Sequence, residues 1–115
     1  MKTYNNALII DDDKDLCFLL KNVLKPKVER IEVAGTLEEG KQLLSKQAPD
    51  VIFLDNNLPD GQGVMYISLF KHIAPQAKII VISAIPTAKE KALEFGADAF
   101  MEKPMMAESI HQILA

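Results

Sequence analysis

Asp55 stands where an unbroken apolar run, Val51-Ile52-Phe53-Leu54, gives way to a turn-rich stretch, Asn56-Asn57-Leu58-Pro59-Asp60-Gly61-Gln62-Gly63. A second set of carboxylates, Asp11-Asp12-Asp13, follows another apolar run, Ala7-Leu8-Ile9-Ile10. Ser83 ends a third run, Ile79-Ile80-Val81-Ile82, and Lys103 lies just past a fourth, Ala99-Phe100-Met101. If these run ends converge, they bring together carboxylates, a hydroxyl and an ammonium. Carboxylates held close together repel, and a hard divalent cation relieves them. A site of few carboxylates that also takes waters and phosphate oxygens suits Mg2+. A carboxylate can also act as a nucleophile and form an aspartyl phosphate. Phosphoryl transfer asks mainly for positioning and charge neutralisation, which this set supplies.

The run ends converge only if the fold carries them to one edge. Ala7–Ile10 and Val51–Leu54 read as strands buried on both faces, because apolar residues follow one another without alternation. Ala77–Ile82 reads the same way, and Ala99–Met101 as a short strand. Val28–Ala34 holds the alternating Ile31-Glu32-Val33, as an edge strand would. Between the strands come helical patterns. Lys14–Leu24 places Leu16, Leu19, Leu20, Val23 and Leu24 at helical spacing, with Asp13 as its cap and Pro26 at its end. Thr36-Leu37-Glu38-Glu39 reads as a capping box opening a helix to about Lys46. Val64–Ile73 forms the third helix, closed by Pro75. Thr87-Ala88-Lys89-Glu90 reads as a second capping box, and Gly96 as the stop of a helix of about two turns. Met106, Ile110, Ile113 and Leu114 mark a last amphipathic helix.

Five strands alternating with five helices predict an α/β fold, a parallel sheet doubly wound with helices on both faces. The flavodoxin-like strand order 2-1-3-4-5 suits this length. In such a sheet all the strand ends named above share one edge, and ligands bind there at the switch between strands 1 and 3.

Composition narrows the function. The chain has 115 residues, 49% hydrophobic and 25% charged, which predicts one globular domain over 1–115 with no output domain after it. A net charge of -3 leaves no basic footprint for nucleic acid. The single cysteine, Cys17, excludes an internal disulfide and reads as an inert core thiol. No apolar stretch reaches membrane-span length, and the N-terminus lacks a signal pattern, so a cytoplasmic protein is expected. His72 and His111 have no ligand-like spacing, which argues against zinc.

The four motifs together identify a resemblance. Leu8–Asp13, Asp55–Gly63, Ile80–Ala84 and Gly96–Pro104 stand in the order found in the receiver domain of bacterial two-component response regulators, and the chain resembles that family over essentially its whole length. The resemblance implies a phosphorelay module in which Asp55 accepts a phosphoryl group from a sensor histidine kinase or a phosphotransfer protein. It implies Mg2+ held by Asp11, Asp12, Asp55 and the main-chain carbonyl of Asn57. Ser83 would bind a phosphate oxygen and move inward, Lys103 would pair with Asp55 or its phosphate, and Phe100 would be the switch aromatic. The partners implied are that kinase and a downstream protein target, with no direct nucleic acid and no membrane. Catalysis would extend only to the domain's own phosphorylation and dephosphorylation.

One stretch departs from the family pattern. The stretch from Ser83 to Gly96 is about two residues short and carries Pro86, which places the fourth helix and its signalling surface in question. Ile85 stands beside the expected path of hydrolytic water. Two competing functions remain in view. An Asp-nucleophile phosphohydrolase of the haloacid dehalogenase type would place its nucleophile after the first strand and need a cap. A degenerate receiver would act only as a scaffold, although every site position here holds a competent residue type.

Overall fold

The computed structural model describes residues 3–114. Strands β1 (Tyr4–Ile10), β2 (Val28–Ala34), β3 (Val51–Asp55), β6 (Lys78–Ser83) and β7 (Ala99–Glu102) form one parallel sheet in the order β2-β1-β3-β6-β7. This is the doubly wound order expected, with β2 at an edge and the apolar runs of β1, β3 and β6 inside. Two-residue strands β4 (Asn57–Leu58) and β5 (Gly61–Gln62) pair antiparallel as a small hairpin after β3, where the sequence shows only turn residues. Helices α1 (Lys14–Leu24), α2 (Leu37–Lys46), α3 (Ile67–Ile73), α4 (Ala88–Glu94) and α5 (Ala107–Leu114) complete the fold.

The sheet carries a core on each face. Leu8, Ile10, Ile52, Leu54, Ile79 and Val81 point one way and pack on Leu37 and Leu44 of α2, Phe70 of α3 and Ala92 of α4. Ala7, Ile9, Val51, Phe53, Ile80 and Ile82 point the other way and pack on Leu20 and Leu24 of α1 and Ile110 and Leu114 of α5. Successive strand residues thus alternate between two cores, and both faces need apolar side chains. Cys17 is buried in the second core with Met101 and Met105, while Met106 is 68% exposed and lies outside α5.

Several boundaries differ from the sequence reading. β1 begins at Tyr4, three residues before Ala7. Asp50 Oδ2 accepts the Asn5 and Asn6 amides at 2.6 and 3.1 Å, which draws this polar segment into the sheet. Val64 lies in a 3-10 turn, Gly63–Tyr66, so α3 proper is shorter than Val64–Ile73. Asp13 caps α1 as expected, with Oδ1 accepting the Asp15 and Leu16 amides. The Thr36 capping box is half formed. Thr36 Oγ1 accepts the Glu39 amide at 3.1 Å, but Glu39 Oε1 accepts from Gly35 and not from Thr36. The second capping box does not form, because Thr87 has helical angles (φ -67°, ψ -15°) and its side chain accepts no cap bond. The chain enters α4 through backbone bonds, Ala88 N–H to Ile85 C=O and Lys89 N–H to Pro86 C=O, and a cap residue needs the extended conformation that Thr87 lacks. α4 is seven residues long, the two turns expected, and stops at Gly96 with φ +108°.

Candidate functional site

The register carries the polar residues to one edge. Ile10 pairs with Leu54, so Asp11 and Asp55 follow at the same level. Asp55 pairs with Ile82, one residue before Ser83, and Ser83 pairs with Glu102, one residue before Lys103. The ladders run past the strand ends: Asp11 N–H donates to Ala34 C=O, Asn56 N–H to Ile82 C=O and Lys103 N–H to Ser83 C=O. These bonds hold the backbone where each functional side chain departs.

Asp11, Asp55 and Ser83 are the only buried polar or charged residues among those described, 2%, 3% and 4% exposed. Burying such groups is costly unless they are paired, so their gathering at one place marks a site. Lys103 Nζ lies 3.2 Å from Asp11 Oδ2 and 3.4 Å from Asp55 Oδ1. Asp11 Oδ1 accepts the Asp13 amide at 2.8 Å, but Asp11 Oδ2 is enclosed and accepts no hydrogen bond, so Lys103 meets it as an ion pair without hydrogen-bond geometry. Asp55 Oδ1 sits 3.4 Å from the Asn57 amide, a long and weak bond.

Ligand oxygens of Asp11, Asp12 and Asp55 lie within 4.8 Å of one another. Asp12 is exposed, and with Asp13, Asp55, Asn57, Ser83, Ala84, Ile85 and Lys103 it lines an open cleft of about 270 Å³. Ser83 Oγ accepts the Ile85 amide at 3.1 Å, which leaves its O–H free to donate into the cleft. Phe100 is half-buried against the core at the level of Val81, away from the carboxylates.

Electrostatics follow from burial. Burial raises the Asp55 carboxyl above its ordinary value; the charge of Asp11 adds to this and Lys103 opposes it. Burial likewise raises Asp11, against the Asp13 amide bond and Lys103. Burial pulls the Lys103 ammonium down, but the charges of Asp11 and Asp55 outweigh it and Lys103 stands raised. Cys17, whose Sγ contacts the Asp11 carbonyl at 3.4 Å, is pushed up to about 11 by burial and then by Asp11, as an inert thiol would be.

The site residues read from the sequence therefore meet at one strand edge, apart from Phe100, which lies below it. The sequence reading passed over Asp60, which looks like an ordinary turn residue between Pro59 and Gly61. Its carboxylate accepts the Leu37 and Glu38 amides at the start of α2, across 23 and 22 residues. The only local signal was an aspartate in a turn, and that is its commonest setting.

Comparisons with known proteins agree with this geometry. Over 112 residues the chain is 30% identical to the photosynthetic apparatus regulatory protein RegA of Rhodobacter capsulatus, covering 95% of this chain and 60% of that one. The chain thus spans less than two thirds of that relative's length. A two-component response regulator from Clostridium difficile superposes with a TM-score of 0.88 at 29% identity, over 96% of this chain and 92% of the other. A response regulator from Burkholderia pseudomallei, solved with a phosphorylated aspartic acid, calcium ion and citrate, superposes with a TM-score of 0.87 at 26% identity, over 96% and 66%. The sequence model of the response regulator receiver domain matches residues 7–115, from the middle of β1 to the end of the chain, and to that family the protein belongs.

Proposed function

We propose that this receiver takes a phosphoryl group on Asp55 and switches conformation to control a protein partner. The observation that carries this reading is the confinement of buried polar side chains to Asp11, Asp55 and Ser83, with the Lys103 ammonium between the two carboxylates. A carboxylate oxygen of Asp55 attacks phosphorus in line, the bond from phosphorus to the donor's leaving group breaks, and that group departs with the electron pair. Lys103 and the Ser83 hydroxyl then meet the transferred phosphoryl oxygens. Lys103 also opposes the upward push of burial on the Asp55 carboxyl, which favours its ionised, nucleophilic form.

The donor set fits a divalent cation. Three carboxylate oxygens lie within 4.8 Å of one another, and the enclosed Asp11 Oδ2 lacks a hydrogen bond. Hard oxygen donors of this number suit Mg2+, held by Asp11, Asp12, Asp55 and the Asn57 carbonyl. A bound Mg2+ supplies charge neutralisation for the carboxylates and the incoming phosphoryl oxygens. The Burkholderia relative's phosphorylated aspartic acid and calcium ion support the same assignment.

The phosphoryl donor is a sensor histidine kinase or phosphotransfer protein, and the output is a protein target, with Phe100 turning as Ser83 moves. No direct nucleic-acid contact or membrane is involved in this reading. Among the described residues no helix is long and apolar enough to cross a membrane. Catalysis is confined to the domain's own phosphate, and the receiver acts in the cytoplasm.

The test is intact-mass spectrometry after incubation with Mg2+ and acetyl phosphate. The native protein is expected to gain one phosphoryl group and Asp55→Asn none. No gain, or an equal gain in the variant, refutes the reading.

Ile85 is 57% exposed and lines the cleft. A bulky apolar group there hinders water approaching the acyl phosphate, whereas a carboxylate would orient it. Ile85→Glu is expected to shorten the phosphate lifetime several-fold, measured as loss of label after the donor is removed; an equal or longer lifetime contradicts this.

A further inference from the structure

Asp60 sits at the tip of the β4–β5 hairpin, exposed to solvent, yet both of its carboxylate oxygens are engaged. Oδ1 accepts the Leu37 amide at 2.9 Å and Oδ2 the Glu38 amide at 3.1 Å. Both donors belong to the first turn of α2, whose next amide, Glu39, goes to the local cap Thr36 at 3.1 Å. The start of α2 is therefore held by two independent acceptors, one beside it in the chain and one from the hairpin. The Leu37 bond, opposed by burial and joined by the Glu38 bond, holds the Asp60 carboxyl below its usual range, as expected of an acceptor that works ionised.

The hairpin is anchored by Leu58, buried in the core, and Gly61 lies against the Leu37 side chain, while at its tip Pro59 and Asp60 are exposed. Its base is tied to the sheet: Asn56 N–H donates to Ile82 C=O, Gly63 N–H to Asn56 C=O and Val64 N–H to Asn56 Oδ1. Beyond that base the strands are two residues each, Asn57 opposite Gln62 and Leu58 opposite Gly61. Strands this short do not hold a conformation by themselves. Asn57 opens the hairpin and lines the cleft with Asp12 and Asp55. Asn57 is joined to the tip through Leu58 and pairs across the hairpin with Gln62.

We infer that Asp60 is a positioning residue for the cation site, tying the hairpin to α2 and so setting where the Asn57 carbonyl stands. The inference rests on the reading of Asn57 as a metal ligand given above. Outer partners that orient a ligand commonly change metal affinity by 10–100-fold when removed. Helix capping alone predicts no such effect, and Thr36 is the internal control, because its hydroxyl holds the same helix start through the Glu39 amide.

The experiment is an Mg2+ titration followed through the amide NMR shifts of Asp12, Asp55 and Asn57, in the native protein, Asp60→Ala, Asp60→Asn and Thr36→Ala. Asp60→Ala is expected to raise the Mg2+ dissociation constant about tenfold. Asp60→Asn, which keeps one acceptor oxygen, is expected to fall between it and the native protein. Thr36→Ala is expected to bind as the native protein does. An unchanged constant in both Asp60 variants overturns the inference, as does an equal rise in Thr36→Ala, since either outcome reduces Asp60 to a helix cap. No Mg2+ response in the native protein overturns the metal reading itself and this inference with it.

Discussion

Lys103→Met is expected to cost about 2 kcal/mol of stability at neutral pH, and to recover most of it on acidification or on addition of Mg2+. The side chains of Asp11 and Asp55 are 0% and 5% exposed, and Lys103 Nζ is the cation between them, at 3.2 and 3.4 Å. Removing one partner of a fully buried ion pair costs about 3–5 kcal/mol, because a desolvated charge is left alone. The Lys103 side chain is 23% exposed, and water reaching it reduces the figure to the lower value. A loss of about 2 kcal/mol lowers Tm by roughly 8 °C in a domain of this size.

The pH dependence has a definite sign. Both carboxyls are raised in the folded protein above the ordinary 3.8, first by burial. A raised carboxyl favours folding below its unfolded pKa, and that contribution is lost as pH rises through the folded value. Without Lys103 both values rise further and the loss deepens. Lys103 itself is raised, so its contribution is complete at neutral pH and fades only above its ordinary 10.5. The deficit of the variant is therefore small near pH 3.8 and opens as pH rises toward neutral. Urea unfolding of both proteins across this range, with and without Mg2+, measures it. A deficit independent of pH and of Mg2+ would locate the role of Lys103 in packing.

Gly63→Ala is expected to cost about 3 kcal/mol or more and to abolish phosphorylation of Asp55. A Cβ on Gly63 would fall well inside van der Waals contact distance of the Asp55 carbonyl oxygen, and it would lie 2.9 Å from Leu54 Cγ. The first obstacle is backbone at the end of the central strand, which cannot rotate away as a side chain can. Relief requires β3 or the hairpin to shift, and both carry site residues. Gly35→Ala is the control: a Cβ there meets nothing within 4 Å, so its effect is expected to stay small. Denaturant unfolding and phosphate incorporation measure both consequences; a Gly63→Ala protein of native stability and activity would contradict the close approach.

Much of this site was legible because its residues sit at the ends of strands that announce themselves. Val51-Ile52-Phe53-Leu54 has no polar interruption, since Ile52 and Leu54 fill one core while Val51 and Phe53 fill the other. Once such a run is a buried strand, the carboxylate after it must lie at the sheet edge. Other parts were misread for equally physical reasons. Thr87 matches a capping box by type and spacing, but Pro86 and backbone bonds bring the chain into α4 already helical. Tyr4–Asn6 looks too polar for a strand until Asp50 supplies the acceptor for its amides. Leu19 fits the inward face of α1 by period yet is 40% exposed, because that face narrows to Cys17, Leu20 and Leu24.

The sequence by itself determined the order of elements, the doubly wound sheet, and the convergence of Asp11, Asp12, Asp55, Ser83 and Lys103. Each of these follows from local periodicity and from the single edge that parallel strands share. Only the tertiary structure decided that Lys103 stands between Asp11 and Asp55, that Asp11 Oδ2 is enclosed without a hydrogen bond, and that Asp60 reaches across to α2. Hydrophobic patterning repeats every few residues and is written into each segment. A hydrogen bond or ion pair between residues 23 or 92 positions apart depends on where two separate backbones come to rest, to within an ångström.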